Sequence, residues 1–146
     1  MTTYITSSPE ETRALAKKLS QEIRGIIALG GELGAGKTTF TQGFAEGLGI
    51  TDKIISPTFV LIRQHPIPNS KNVLPTCRRV LYHIDLYRLE EIKNIKDLGI
   101  DEMMQNPKNI ILIEWAEKAK KLLPKNITWI KLEVIDKNTR RIKIRG

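Results

Sequence analysis

With 146 residues, 40% of them hydrophobic and 27% charged, the chain has the make-up of one ordinary globular domain spanning residues 1–146, which excludes a disordered protein and gives no ground for a second domain. Its longest apolar stretches, residues 26–29 and 110–113, fall far short of the ~20 residues a membrane-spanning helix needs. Residues 1–8 carry no basic start with an apolar run behind it, so a cytoplasmic protein without membrane association is expected. The net charge of +8 favours acidic partners without naming one, and the single cysteine, Cys77, excludes an internal disulfide and reads as a free thiol in a loop.

In chain order, Ser8, Pro9 and Glu11 supply an N-cap, a proline at the first helical position and a capping-box acid, so a helix starts there. Leu15, Leu19 and Ile23 carry it at four-residue spacing until Gly25. Ile26-Ile27-Ala28-Leu29 is a continuous apolar run that suits a strand buried on both faces. A glycine-rich segment follows, and then Phe40, Phe44 and Leu48 form a second helical stripe with Gly49 at its C-cap. Gly43 and Gly47 weaken that helix intrinsically, so it must be held by packing, with a neighbour in close approach.

Residues 54–63 and 80–89 are β-rich and read as an antiparallel ribbon around a long basic loop at 66–79 containing Pro66, Pro68, Asn69 and Pro75. A helix is expected over 89–98 through Ile92, Ile95 and Leu98, with another turn at 101–105 before Pro107. Residues 109–114 form a second fully buried strand. Residues 116–123 predict a short helix supported by the Glu117 and Lys121 pair and ended by Pro124. The tail alternates through Thr128, Ile130, Leu132 and Val134 and again through Ile142 and Ile144, a closing hairpin around a turn at 136–139.

The sharpest motif is Gly31-Glu32-Leu33-Gly34-Ala35-Gly36-Lys37-Thr38, a complete phosphate-loop pattern with a buried strand before it and an amphipathic helix after it. Its chemistry needs consecutive backbone N–H groups facing an anion, which glycines permit and the positive end of the following helix reinforces. Lys37 would meet the β- and γ-phosphates and the Thr38 hydroxyl would bind Mg²⁺.

Such a site takes a carboxylate from the end of a neighbouring strand. Glu114, closing Ile110-Ile111-Leu112-Ile113, has that position, although Asp is the commoner residue. Asp85 is a second strand carboxylate suited either to orienting water or to the magnesium shell. His83 shares its face and reads as a hydrogen-bonded structural residue. Trp115 suits either stacking at the site or core packing. Thr58, in Ser56-Pro57-Thr58-Phe59, suits either sensing of the γ-phosphate or simple strand initiation.

Gly-Glu-Leu-Gly-Ala-Gly-Lys-Thr-Thr-Phe at 31–40, Ser-Pro-Thr-Phe at 56–59, His-Ile-Asp-Leu-Tyr-Arg at 83–88 and Ile-Glu-Trp at 113–115, in that order and spacing, resemble the TsaE family. The resemblance implies an α/β P-loop NTPase fold, a three-layer sandwich whose central sheet is mainly parallel with peripheral antiparallel strands. It also implies binding and slow hydrolysis of ATP with Mg²⁺, and work with the TsaD and TsaB proteins that install threonylcarbamoyl on adenosine 37 of transfer RNA. Carried over by residue, Leu33, Gly34, Ala35, Gly36, Lys37, Thr38 and Thr39 would cradle the nucleotide phosphates. Thr38 and Glu114 would ligate Mg²⁺, Lys37, Asp85 and Glu114 would serve hydrolysis, and the start of the first helix and Thr139 would flank the adenine. Transfer RNA would be met through the complex; direct contact would require Arg78, Arg79, Arg140, Arg141, Lys143 and Arg145 to converge. Two alternatives stay open: a small-metabolite kinase with residues 66–79 as lid, and a nucleotide-dependent RNA-binding switch.

Overall fold

The structure, a computed structural model, describes residues 1–54, 62–68, 79–87 and 99–146. Its elements are β1 (Thr2–Thr6), α1 (Pro9–Leu19), β2 (Gly25–Gly30), α2 (Lys37–Gly47), β3 (Ile62–Ile67), β4 (Arg79–Asp85), α3 (Ile100–Met103), β5 (Ile110–Glu114), a 3₁₀ turn (Ala116–Ala119), β6 (Thr128–Val134) and β7 (Arg140–Arg145). The strands form one sheet in the order β1-β7-β6-β2-β5-β4-β3. Its centre, β6-β2-β5-β4, is parallel, and antiparallel pairs close both ends, as expected of an α/β phosphate-loop fold.

The two apolar runs explain that centre. In β2 and β5 every side chain meets a covered face: Ile27, Leu29, Ile110 and Leu112 pack with Phe40 and Phe44 beneath α1 and α2. Ile26, Ala28, Ile111 and Ile113 pack on the opposite face with Met103, Ala116 and Ala119. Among the described residues, the second layer is made by α3 and a 3₁₀ turn.

Entry into α1 is fixed by two bonds. The Glu11 N–H donates to the Ser8 hydroxyl at 3.1 Å, and the Glu11 carboxylate accepts the Ser7 N–H at 2.6 Å. The helix ends at Leu19 rather than running on to Gly25. Ser20 donates its hydroxyl to the Lys17 carbonyl at 2.6 Å, and Gln21 and Glu22 tighten to the carbonyls of Lys18 and Leu19. Two glycines let α2 lie directly on this helix. A Cβ at Gly43 would stand 2.3 Å from the Arg13 carbonyl oxygen, and one at Gly47 would stand 2.0 Å from the Ser20 hydroxyl.

Three further readings change. β1 was not foreseen; it adds antiparallel to β7 at the sheet edge. The ribbon forms, but β3 runs through Pro66 to Ile67, into residues read as loop. Opposite Pro66, Val80 turns its N–H away from β3 to the Asn109 side chain, so the pair needs no donor from the proline, and β3 is an edge strand. The helix expected at 116–123 is only a 3₁₀ turn at Ala116–Ala119, entered from Trp115 at φ 58° and bounded by three-residue bonds, Lys118 N–H to the Trp115 carbonyl at 3.2 Å and Leu122 N–H to the Ala119 carbonyl at 2.8 Å. The helix expected over 89–98, the Ser56-Pro57-Thr58-Phe59 motif, Cys77 and most of the basic loop lie outside the described residues.

Candidate phosphate-binding site

The register of the parallel strands levels their carboxyl ends. Leu29 of β2 stands opposite Glu114 of β5, and Glu114 stands opposite Asp85 of β4. The glycine loop leaves β2 immediately beyond, at the edge where open α/β sheets bind ligands. Gly36 caps α2 in a left-handed conformation, φ 99°, so the first helical residue is Lys37. Gly31 can be no other residue: its φ is 137°, and a Cβ there would stand 2.5 Å from the Leu132 carbonyl oxygen of β6.

Together these residues line an open cleft of about 420 Å³ formed by Leu33, Gly34, Gly36, Lys37, Thr38, Thr39, Asp85, Tyr87, Glu114 and Trp115. Ala35 is buried beneath the loop and Leu33 projects from it, 74% exposed. The Lys37 ammonium donates to the carbonyls of Gly31 at 2.5 Å and Glu32 at 2.9 Å. It also lies 3.9 Å from the centre of the Trp115 ring. Burial pulls the Lys37 pKa below the usual lysine value, against the opposing pull of Glu114, Glu117 and Asp85.

The two strand-end acids are held differently. Asp85 accepts the Tyr87 N–H at 2.8 Å in a local turn. Glu114, buried but at the wall of the cleft, meets His83 Nε2 through Oε2 at 2.5 Å. His83 is thus the hydrogen-bonded residue expected of it, with a member of the site as its partner. Trp115 borders the second core, in keeping with the packing role, and its ring also lies 4.9 Å from that of Tyr87 at the cleft.

A smaller cavity of about 140 Å³ adjoins through Gly34, Gly36 and Thr39 and is walled by Ser8, Pro9, Thr12, Lys137, Asn138 and Arg140. Thr139 is not in that wall. Its N–H and carbonyl close the turn, with the N–H donating to Asp136 at 2.8 Å. Arg140 reaches from the turn to the Gly34 carbonyl at 3.3 Å. Of the cations considered for RNA contact, Arg78 lies outside the described residues and the other five do not all share one face. Arg79 opens β4 near the far edge, Arg140 faces the glycine loop, and Arg141, Lys143 and Arg145 alternate onto the opposite face of β7.

The family model for "Threonylcarbamoyl adenosine biosynthesis protein TsaE" matches residues 6–142. The chain belongs to the TsaE family. It is 45% identical over 121 residues to the tRNA threonylcarbamoyladenosine biosynthesis protein TsaE of Bacillus subtilis, covering 82% of this chain and 69% of that protein. It is 39% identical over 143 residues to the TsaE protein of Rickettsia felis, covering 96% and 77% respectively. The crystal structure of Bacillus subtilis YdiB superposes with a TM-score of 0.74 at 34% identity, covering 98% of this chain and 83% of that one.

In this TsaE chain Tyr87 and Arg140 are the lining residues that the sequence did not announce. Tyr87 follows Asp85 by two, the spacing at which an aspartate side chain caps a backbone N–H, and that was the available signal. Arg140 had none, since its contact spans 106 residues of sequence.

Proposed function

We propose that this chain binds ATP with Mg²⁺ in the glycine-loop cleft and hydrolyses it slowly, as an accessory protein in forming N6-threonylcarbamoyladenosine at position 37 of transfer RNAs. Family membership supports the role in tRNA threonylcarbamoyladenosine biosynthesis. The observation that carries the chemistry is the convergence of Lys37, Thr38, Asp85 and Glu114 on one cleft.

The donors in that cleft are a threonine hydroxyl and two carboxylates, and no group of three or more His, Cys, Asp or Glu able to hold a metal occurs among the described residues. A sparse set of hard oxygens suits Mg²⁺, which keeps waters and phosphate oxygens in its shell. Thr38 and Glu114 would hold the ion, and its bound charge would offset that of the phosphates. On nucleotide binding Lys37 exchanges the carbonyls of Gly31 and Glu32 for phosphate oxygens. The N–H groups of the loop and of the first turn of α2 receive the rest of the anion. Asp85, its carboxylate oriented by the Tyr87 N–H, positions the attacking water. The adenine occupies the cavity between the start of α1 and the 136–139 turn, where Asn138 and Arg140 stand beside Ser8 and Pro9.

In this reading the ATP cycle supports turnover of TsaD and TsaB in the cytoplasm, and transfer RNA is met through that complex. The test is magnesium-dependent ATP hydrolysis by the chain alone and with TsaD plus TsaB, using Lys37→Ala and Glu114→Ala as controls. Stimulation by the partners, lost in both variants, is the expected result. Absence of nucleotide binding, or of any response to the partners, would defeat the reading.

A further inference from the structure

The strongest unassigned contact lies one layer behind the cleft. His83 sits on β4 opposite Leu112 of β5, and its ring reaches diagonally to Glu114, two residues further along β5. His83 has no exposed surface and Glu114 only 2%. Among the described residues His83 Nδ1 has no hydrogen-bond partner, whereas Nε2 meets Glu114 Oε2 at 2.5 Å. A carboxylate only accepts, so the ring's hydrogen belongs on Nε2; placing it on Nδ1 would bury an unmet donor and set two lone pairs against each other.

Glu114 also stands directly opposite Asp85, a like-charge pair that would turn one of the two carboxylates aside unless each were held. Asp85 has the Tyr87 N–H, and Glu114 has His83. We propose that His83 is a positioning residue: its Nε2–H fixes Oε2 of Glu114 and leaves the remaining oxygen to the cleft, in the orientation that the magnesium shell requires. The inference rests on the assignment of Glu114 to that shell. Partners that orient a metal ligand in this way are typically worth 10–100-fold in metal affinity.

The test uses the full chain and a fluorescent ADP analogue, titrated with MgCl₂ and, separately, in EDTA. His83→Leu removes the donor, and His83→Gln restores an N–H at nearly the same reach. His83→Leu is expected to raise the Mg²⁺ concentration for half-maximal effect by at least about tenfold, with affinity in EDTA unchanged within about twofold. His83→Gln is expected to recover most of the loss. Equal Mg²⁺ dependence in wild type and His83→Leu, or no recovery in His83→Gln, overturns the proposal. Long-range ¹H–¹⁵N spectra of the wild-type imidazole read the same point without a variant. Hydrogen on Nε2, its resonance moved by Glu114→Gln, is expected; hydrogen on Nδ1 overturns the proposal even if His83→Leu fails to fold. Glu114→Ala separates the two levels. If it keeps wild-type Mg²⁺ dependence, the assignment of Glu114 is wrong; if it loses that dependence while His83→Leu does not, only the role of His83 is.

Discussion

Lys37 brings a cation into a site where two backbone carbonyls and an aromatic face replace part of its water. Its pKa lies below that of the unfolded chain, so between the two values the unfolded state binds more protons and stability rises with pH, and below both the protonated side chain detracts from stability. Lys37→Met is therefore expected to leave the melting temperature of the ligand-free protein unchanged or raised. The same variant should weaken nucleotide binding by roughly 10–150-fold, the equivalent of one charge-assisted hydrogen bond of about 1.5–3 kcal/mol. Thermal melting and nucleotide titration check the two halves, and a lowered melting temperature would contradict the first. His65 supplies the pH dependence. Burial, then the neighbouring His83, pushes its pKa below the usual histidine value; Arg63 acts in the same direction and Asp52 opposes it. Its Nε2 is buried without a partner among the described residues. Stability is then lost as pH falls from about 6.5 toward the lower folded-state value, because the unfolded chain takes up the proton first. Urea midpoints between pH 8 and pH 5 should fall less steeply in His65→Gln than in wild type; equal slopes would place the loss elsewhere.

At the scale of elements, the sequence was most readable where one segment decides its own structure. The strand, glycine loop and helix at 25–47 could be read in full, because buried strand, left-handed turn and amphipathic stripe each leave a local pattern. That some neighbour lies close against α2 was readable too, since two glycines in a helix need a packing reason, but not that the neighbour is α1. The rest depended on partners distant in sequence. β1 is five residues with a single buried side chain, Thr6, and forms only because β7 offers an edge. The bond from His83 to Glu114 exists through the β4–β5 register, which no short window contains. Residues 116–119 form a 3₁₀ turn, entered with the Lys118 N–H on the Trp115 carbonyl, although the residues themselves favour helix. The packing of α2 makes a direct prediction. Gly43→Ala would gain about 1 kcal/mol of helix propensity in isolation. In the protein its Cβ meets backbone, the Arg13 carbonyl oxygen at 2.3 Å and Cα at 2.8 Å, which cannot rotate away. Net destabilisation of about 1–3 kcal/mol is expected from overpacking, measured by urea denaturation. A neutral or stabilising result would mean that the helices sit further apart.

Across the whole molecule, a net charge of +8 invites the idea of direct RNA binding, but the distribution of the cations limits it. The outer face of β6 and β7 carries Lys131 opposite Lys143, Arg141 opposite Glu133, and Arg145 opposite Trp129. Glu133 offsets one of these charges and is shared among three of the cations, lying 3.1 Å from Lys143, 3.2 Å from Arg141 and 3.9 Å from Lys131. The contact with Lys143, more than any other, holds its carboxyl below the usual range. There remains a cleft of about 460 Å³ in which Lys120, Lys131, Lys143 and Arg145 face a single acid, Glu117. Four phosphate contacts made in this cleft would give a slope of log affinity against log salt for transfer RNA of roughly 3–4 in magnitude. Binding by the isolated chain should accordingly be weak and indifferent to ATP, with Lys143→Glu combined with Arg145→Glu lowering the slope by about 1–2. A steeper slope, or one that changes when ATP is added, would favour a nucleotide-dependent RNA switch. A shallow, nucleotide-independent one leaves the excess charge as a surface property and directs attention to partner proteins as the route by which the proposed ATPase cycle would reach transfer RNA.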